Sequence, residues 1–189
     1  MRAAADSATM GDLGPLRVRA RTSEDLDACV ALTRELRESD GYPAFMATED
    51  FERFLVPTNI LGAWVALDDL GILGHVTTRT SSAPAATELA TARLGIAPSA
   101  LGFVSRLMVA PRARRRGIAR QLLSTAALDL ASRGLVAVLD VLTRDVAAIA
   151  LYEHEGWVRL GTTSFTSRSG TRFDEVVFLA PGQDLAPPP

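Results

Sequence analysis

The sequence has few of the residues that build disulfide frameworks, metal clusters and membrane segments. It contains one cysteine, Cys29, and two histidines in 189 residues. A single cysteine forms no disulfide framework and no cysteine-rich metal site, which favours a reducing compartment. Residues 1–15 lack the apolar core of a signal peptide, and no later run approaches the length of a membrane span. These absences predict a cytoplasmic protein with no metal and no membrane partner.

Net charge and length bear on the expected partners and on the number of domains. The formal net charge is -2, and 48% of the residues are hydrophobic, as in ordinary soluble domains. Because no extended basic face exists outside one arginine-rich turn, we do not expect a nucleic-acid partner. The length fits one domain, which we place at residues 16–180, between a flexible N-terminal tail at 1–15 and a Pro-rich tail at 181–189.

The strongest local signal is the arginine-rich turn, which lies between an apolar strand at 107–110 and a helical pattern. Five arginines occur between positions 112 and 120, and Gly117 lies among them. A glycine before a helix start, with its unpaired N–H groups and positive dipole end, predicts an anion site. A Walker loop would need a Lys-Ser/Thr pair, and a dinucleotide fingerprint would need three glycines. Neither is present; a solvated turn or a weak nucleic-acid patch is the alternative for the turn alone.

Two motifs together give the turn a more specific interpretation. The pattern Arg114-x-x-Gly117-x-Ala119 resembles the pyrophosphate-binding segment of the GNAT superfamily of acyl-CoA-dependent N-acyltransferases. Downstream, Asp145-x-x-Ala148-x-x-Leu151-Tyr152-x-x-x-Gly156-Trp157 resembles the second cofactor segment of that family. The two motifs occur in the usual order and at the usual separation.

The resemblance implies transfer of an acetyl group from acetyl-CoA to a primary amine by direct attack in a ternary complex. It implies backbone contacts to the pantetheine arm through a splay between the strand that leads into the turn and residues 136–142. The implied donor-binding residues are Leu107, Met108, Val109, Arg114, Arg115, Arg116, Gly117, Ile118, Ala119, Asp145 and Tyr152. Asp145 stands where the family more often has Asn; it can cap a helix, but an ionised carboxylate cannot donate a hydrogen bond.

Tyr152 matches the tyrosine that protonates the leaving thiolate in the family. A phenol keeps its proton at neutral pH and can give it to a basic thiolate nearby. The alternative role for Tyr152 is that of a core aromatic on an amphipathic helix.

The general base is less clearly marked. Many relatives carry a glutamate shortly before the position of Leu107, whereas residues 102–106 here contain no carboxylate. We expect His75, on the neighbouring strand, to be the base, because imidazole titrates near neutrality. A hydrogen-bonded structural histidine, or base catalysis through ordered water assisted by Ser105 or a backbone carbonyl, are alternatives. The missing carboxylate also leaves open a CoA-binding regulatory or sensing module without efficient transfer.

The acceptor side has no readable motif. The resemblance places the acceptor site near the connection between the first two helices, so that Glu38, Asp40 and Tyr42, with Ser105, are the expected contacts. A small-molecule amine, a protein N-terminus or a lysine would all suit the same donor, and the sequence leaves a homodimer open.

Periodicity and turn signals predict an α/β (α+β) fold with a mixed, mainly antiparallel sheet flanked by helices, in the order β-α-α-β-β-β-α-β-α-β-β. The expected strands are 16–21, 62–67, 72–78, 102–110, 136–142, 157–163 and 172–179, and the expected helices are 23–40, 48–55, 119–133 and 146–155. Residues 81–100 form an insert rich in Ala, Ser, Thr and Pro, with a possible helical turn at 88–94. Composition alone allows this insert to be a lid or a disordered stretch.

Overall fold

The computed structural model describes residues 15–44, 50–167 and 170–183. Most of the two predicted tails lies outside these ranges, as do the expected start of the second helix at 48–49 and part of the last hairpin turn at 168–169.

The described chain contains both strands and helices, and their arrangement confirms the expected fold class. The strands are β1 Arg17–Ala20, β2 Ile60–Asp68, β3 Gly71–Arg79, β4 Leu101–Val109, β5 Val136–Leu142, β6 Val158–Thr166 and β7 Arg172–Leu179. The helices are α1 Leu26–Asp40, α2 Phe51–Leu55, α3 Pro84–Leu94, α4 Ile118–Ser132 and α5 Val146–His154. The order matches the prediction except for α3, which the prediction lacks as a full helix.

The strands form one sheet in the order β1-β2-β3-β4-β5-β7-β6. Neighbouring strands are antiparallel except for β4 and β5, which are parallel and joined by the crossover helix α4. Their pairing covers only four residue pairs, from Leu101↔Val136 to Val104↔Leu139. The second halves of the two strands are therefore not joined.

Helix α4 covers one face of the sheet, and α1 covers the other. A Cβ added at Gly74 would meet side chains of α4 at about 3 Å. Because successive residues of a strand point to opposite faces, His75 points away from α4. Met108 pairs with His75, and its sulfur lies 3.7 Å from the Thr33 hydroxyl of α1. Side chains near the middle of β3 and β4 therefore reach the α1 side.

Helix α3 is the main departure from the predicted order. Its buried residues, Ala86, Ala90 and Leu94, recur every four positions and pack in a hydrophobic cluster with residues of β4, β5, β6 and β7. The insert at 81–100 is therefore a packed cover of the sheet rather than a lid or a disordered stretch. Its periodicity is weak because the buried side chains are mostly alanine. The proline at its first position and Gly95 at its end, with φ +66, are the signals that mark it.

Candidate active site

The turn between β4 and α4 presents an uncapped helix N-terminus. Gly117 precedes α4 in the left-handed region, at φ 74, and no side chain caps the helix. The N–H groups of a first helical turn have no partner within the helix, so here they are left for a ligand. The side chain of Ile118 is buried in the core and that of Ala119 is half-buried, so only their backbone can face an anion. This turn fits a pyrophosphate group.

Most of the arginines around this turn already have carboxylate partners. The ion pairs are Arg112 with Glu35 at 2.6 Å, Arg114 with Asp40, Arg116 with Asp68 at 3.4 Å, and Arg120 with Glu155 at 2.8 Å. Arg115 is exposed and forms no ion pair with a described residue. The net positive charge of the turn is therefore smaller than its number of arginines suggests. The ion pairs also attach the turn to α1, to β2 and to the end of α5.

An unpaired edge of β4 begins where its pairing with β5 ends. From Ser105 onward, the side of β4 that faces β5 has no strand partner in the described chain. Arg106 adopts a left-handed backbone at φ 53, and the register with β3 shifts between His75 and Thr77. Such a bulge bends a strand, and here it occurs where β4 and β5 separate. The edge offers backbone donors and acceptors to an extended arm.

Residues 107–109 lie on this edge, where the backbone of β4 has no pairing with β5. Leu107 and Val109 are half-buried, whereas the Met108 side chain is buried against α1. A ligand in the gap would therefore meet the backbone of this segment rather than the Met108 side chain.

Tyr152 lies on α5 with its ring packed against Trp157 and Phe178, at centroid distances of 6.2 and 5.7 Å. The residue is only 8% exposed, and its hydroxyl forms no hydrogen bond with a described residue. Burial, with smaller effects of Tyr42 and Asp140, raises the pKa of Tyr152 above its ordinary value. The phenol therefore keeps its proton throughout the physiological range.

Asp145 occupies the N-cap position of α5, but its side chain does not make the cap that the sequence predicts. Its backbone carbonyl accepts hydrogen bonds from Ala148 and Ile149, while no side-chain cap bond forms. Burial is the main reason why the pKa of Asp145 is raised, and Asp40 raises it further. Because Asp40 pairs with Arg114, the start of α5 lies near the turn between β4 and α4.

His75 has the environment of a structural histidine. It is fully buried, with Nε2 3.0 Å from Arg21 and Nδ1 3.3 Å from the backbone oxygen of Arg106. Burial and the Arg21 charge lower the pKa of His75 to about 3. Both ring nitrogens are therefore in use, which disfavours His75 as the base.

Two carboxylates that the sequence reasoning missed, the half-buried Asp140 and the buried Glu175, lie on the face opposite α4. Asp140 directly follows the last β5 residue that pairs with β4, and burial is the main reason why its pKa is raised. Glu175 of β7 is 2% exposed, and its Oε1 has no hydrogen-bond partner. Burial and then Asp140 raise the pKa of Glu175 to about 7. Two sequence features could have indicated them. Asp140 is the one charged residue in the apolar strand β5, and Glu175 lies two residues before the buried Val177, so both point to the same face of β7.

Among the expected acceptor residues, the acidic Glu38 and Asp40 differ in their surroundings from Tyr42. Glu38 is exposed, and Asp40 is already paired with Arg114. Tyr42 packs edge-on against Phe54 at 5.9 Å, and burial raises the pKa of Tyr42 to about 12. Arg106, Arg79 and Asp140 also influence that pKa, so Tyr42 lies near the carboxylate of β5.

No cluster of three or more possible metal ligands of the His, Cys, Asp or Glu type occurs within the described ranges. Among the helices that the structure describes, none has the length and apolarity needed to cross a membrane.

Comparison with known proteins identifies the family. The profile of the family described as "Acetyltransferase (GNAT) domain" matches residues 60–159, which include the anion-binding turn, the gap between β4 and β5, and Tyr152. No curated protein matches the sequence significantly.

Solved structures share the fold over most of the chain. Arabidopsis thaliana NAA60 in complex with acetyl-CoA is 20% identical, with a TM-score of 0.65 over 87% of this chain and 97% of that one. The ribosomal-protein-S18-alanine N-acetyltransferase from Escherichia coli is 18% identical, with a TM-score of 0.62 over 91% and 97%. An N-acetyltransferase from Staphylococcus aureus Mu50 is 17% identical, with a TM-score of 0.65 over 88% and 98%. At these identities the likeness shows the fold alone.

Proposed function

The chain belongs to the GNAT family of acetyltransferases, and on that premise we propose that it moves an acetyl group from acetyl-CoA to a primary amine. One observation carries the proposal: an unpaired edge of β4 leads to an uncapped helix N-terminus, and a buried, protonated Tyr152 lies beside the gap. Asp140 follows the last paired residue of β5 and so lies at the same gap. Its carboxylate can accept a proton, whereas the phenol of Tyr152 can donate one.

The residues of the donor side suit the parts of CoA. The N-terminus of α4, with Gly117 and Arg115, would hold the pyrophosphate, and Arg114 and Arg116 lie beside it. The backbone of residues 107–109 would bind the pantetheine arm like an added strand. Asp145 would contact the arm at the start of α5. Solved neighbours in complex with acetyl-CoA support this donor.

Two protons have to move during transfer, and the structure offers a group for each. When bound, acetyl-CoA supplies the acetyl group as a thioester, and the amine nitrogen takes this group as the carbon–sulfur bond breaks. The Tyr152 hydroxyl would give its proton to the sulfur, because its raised pKa keeps it protonated. The Asp140 carboxylate would take the proton that the amine loses. We place Asp140 in the role that the sequence assigned to His75.

Direct attack of the amine on the donor requires no acylated side chain. Cys29, the single cysteine, is fully buried, and burial raises the pKa of its thiol to about 11. A thiol in this state is a poor nucleophile at neutral pH. We therefore propose a ternary complex in which the amine attacks the donor directly.

An acetyl-CoA consumption screen over a panel of amines, read by thiol release, tests the proposal. The parent protein should turn over at least one amine, and Asp140→Asn should lower kcat by about a hundredfold while acetyl-CoA affinity stays within about twofold. Tight CoA binding without turnover of any amine would favour a CoA-binding sensing module instead. Parent-like turnover in Asp140→Asn would remove Asp140 as the base.

A further inference from the structure

Two arginine side chains meet at one serine hydroxyl on the face of the sheet opposite α4, which we call the acceptor side. Nε of Arg79 lies 2.9 Å from the Ser105 Oγ, and Nη1 of Arg106 lies 3.2 Å from the same atom. Arg79 also donates to the Ser82 hydroxyl at 3.1 Å, and the Arg106 guanidinium stacks on the Phe54 ring at 4.6 Å. The two guanidinium groups are thus held by neutral partners and an aromatic face.

Neither Arg79 nor Arg106 has a carboxylate partner within the described ranges. Neither forms an ion pair with a described residue, and Nε of Arg106 is buried without a hydrogen bond. Burial and the neighbouring Arg79 charge lower the pKa of Arg106 to about 10. Two like charges that are close and partly desolvated are unfavourable unless an anion offsets them. Arg106 also has a left-handed backbone, a strained state for a residue other than glycine.

The arginine pair lies beside the proposed base. Val104 and Leu139 form the last paired position of β4 and β5, so Ser105 and Asp140 are the next residues on each strand. Residues at matching positions on adjacent strands point to the same face, about 5 Å apart or more where strands separate. The Asp140 charge acts on the pKa of both arginines, which supports this proximity. A cationic and an anionic group therefore lie about one strand spacing apart.

We propose that the acceptor carries an anionic group, a carboxylate or a phosphonate, next to its amine, with Arg79 and Arg106 binding the anion and Asp140 facing the amine. This inference rests on the proposed acetyl transfer. An α-amino acid or an α-aminophosphonate has the required short separation between amine and anion. A peptide N-terminus has a neutral amide at that position, so it would leave both guanidinium groups without an anion. The geometry therefore favours a small zwitterionic acceptor over a protein.

The competing explanation is that the buried charges only balance one another. Asp140 and Glu175 supply two carboxylates on this face, which also carries Arg21 beside Arg79 and Arg106. Under that explanation a substrate anion would add a third negative charge and would be rejected. The two explanations thus predict opposite preferences for the charge on the acceptor.

Matched substrates test this difference. Each common α-amino acid is compared with its carboxamide and with an α-aminophosphonate, as acceptors for the acetyl-CoA-saturated protein, by thiol release. The parent should prefer the anionic members by about tenfold or more in kcat/KM. Arg79→Gln and Arg106→Gln should each reduce the ratio of acid to amide to less than about threefold, mainly through KM, and Arg106→Lys should restore part of it. The ratio of carboxylate to phosphonate identifies which anion fits.

The exposed Arg93 of α3 forms no ion pair with a described residue and provides the matched control. Arg93→Gln removes the same charge and should leave the ratio unchanged. Equal or better turnover of the carboxamides by the parent would overturn the anion site while acetyl transfer stood. A preference for acids that survives both glutamine variants would overturn it too.

A binding measurement on the parent protein tests the anion site even if no amine is turned over or if a variant does not fold. Calorimetric titration of the CoA-bound parent with amino acids and their carboxamides should show the same preference of about tenfold for the acids. If acids bind preferentially without turnover, the anion site stands and the transfer proposal fails. If neither class binds with a preference, the anion site fails.

Discussion

Nε2 of His75 accepts a hydrogen bond from Arg21 at 3.0 Å, and this bond uses the lone pair that a catalytic base would need. A guanidinium only donates, so Nε2 must be the acceptor and Nδ1 must carry the proton toward the Arg106 backbone oxygen. His75 thus links β1 to the bulge in β4. We propose that His75 positions Arg106 and Arg21.

His75→Leu should therefore reduce stability rather than remove a base. It leaves one buried donor and one buried acceptor without partners, so the free energy of unfolding should fall by about 2–4 kcal/mol. Denaturant unfolding measures this loss, and the pH dependence of kcat should keep its acidic limb. Loss of that limb with unchanged stability would restore His75 as the base.

Gly117→Asp should abolish acetyl-CoA binding. Its side chain and negative charge would enter the anion-binding turn, at a backbone φ of 74 that favours glycine. Gly95→Asp is a matched control, because Gly95 ends α3 at φ +66 with equally open space around it. Both variants should lose about 1 kcal/mol of stability from backbone strain. In calorimetry only Gly117→Asp should lose the donor, and equal binding by both variants would mean that the turn is not the donor site.

Glu175 should make stability depend on pH. An unfolded glutamate titrates near its ordinary pKa of 4.5, whereas the folded pKa of Glu175 is about 7. Between these values the folded protein binds more protons than the unfolded chain, so the free energy of unfolding falls as pH rises through this window. The loss attributable to Glu175 is about 3 kcal/mol and persists above pH 7.

Glu175→Gln removes this contribution because glutamine does not titrate. The stability of the variant relative to the parent should increase from pH 4.5 to pH 7 and then level off, as measured by urea unfolding at each pH. Parallel curves for the two proteins would show that the Glu175 carboxyl is not desolvated in the folded state.

The proposed donor side could be derived from the sequence because its signals are local. Gly117, the arginines and the helix start lie within one short segment, and Tyr152 belongs to a second motif. The parallel strands around them follow from the apolar run of β5. Sequence could not show that Arg114 pairs with Asp40, because three strands and two helices of the described chain lie between the two partners.

On the proposed acceptor face the sequence marked Ser105 but not Arg79, Asp140 or Glu175, because these residues come from different strands. Arg79, Ser105, Asp140 and Glu175 belong to β3, β4, β5 and β7, and only the register of the sheet brings them to one face. Asp140 was passed over because the other residues of its strand are apolar. His75 was favoured on the general chemistry of imidazole, whereas its burial and its bond to Arg21 decide its role.

We propose that Tyr152 protonates the leaving thiolate of acetyl-CoA. Tyr152→Phe keeps the ring that packs against Trp157 and Phe178 and removes only the hydroxyl. The decisive measurement is kcat for the best amine, with the acetyl-CoA Kd, for parent and variant from pH 6 to pH 10. We predict a fall in kcat of about a hundredfold with Kd within about twofold. Because the pKa of Tyr152 is raised, the fall should be nearly constant across this range. Parent-like kcat in the variant at every pH would contradict the assignment and leave Tyr152 as a core aromatic.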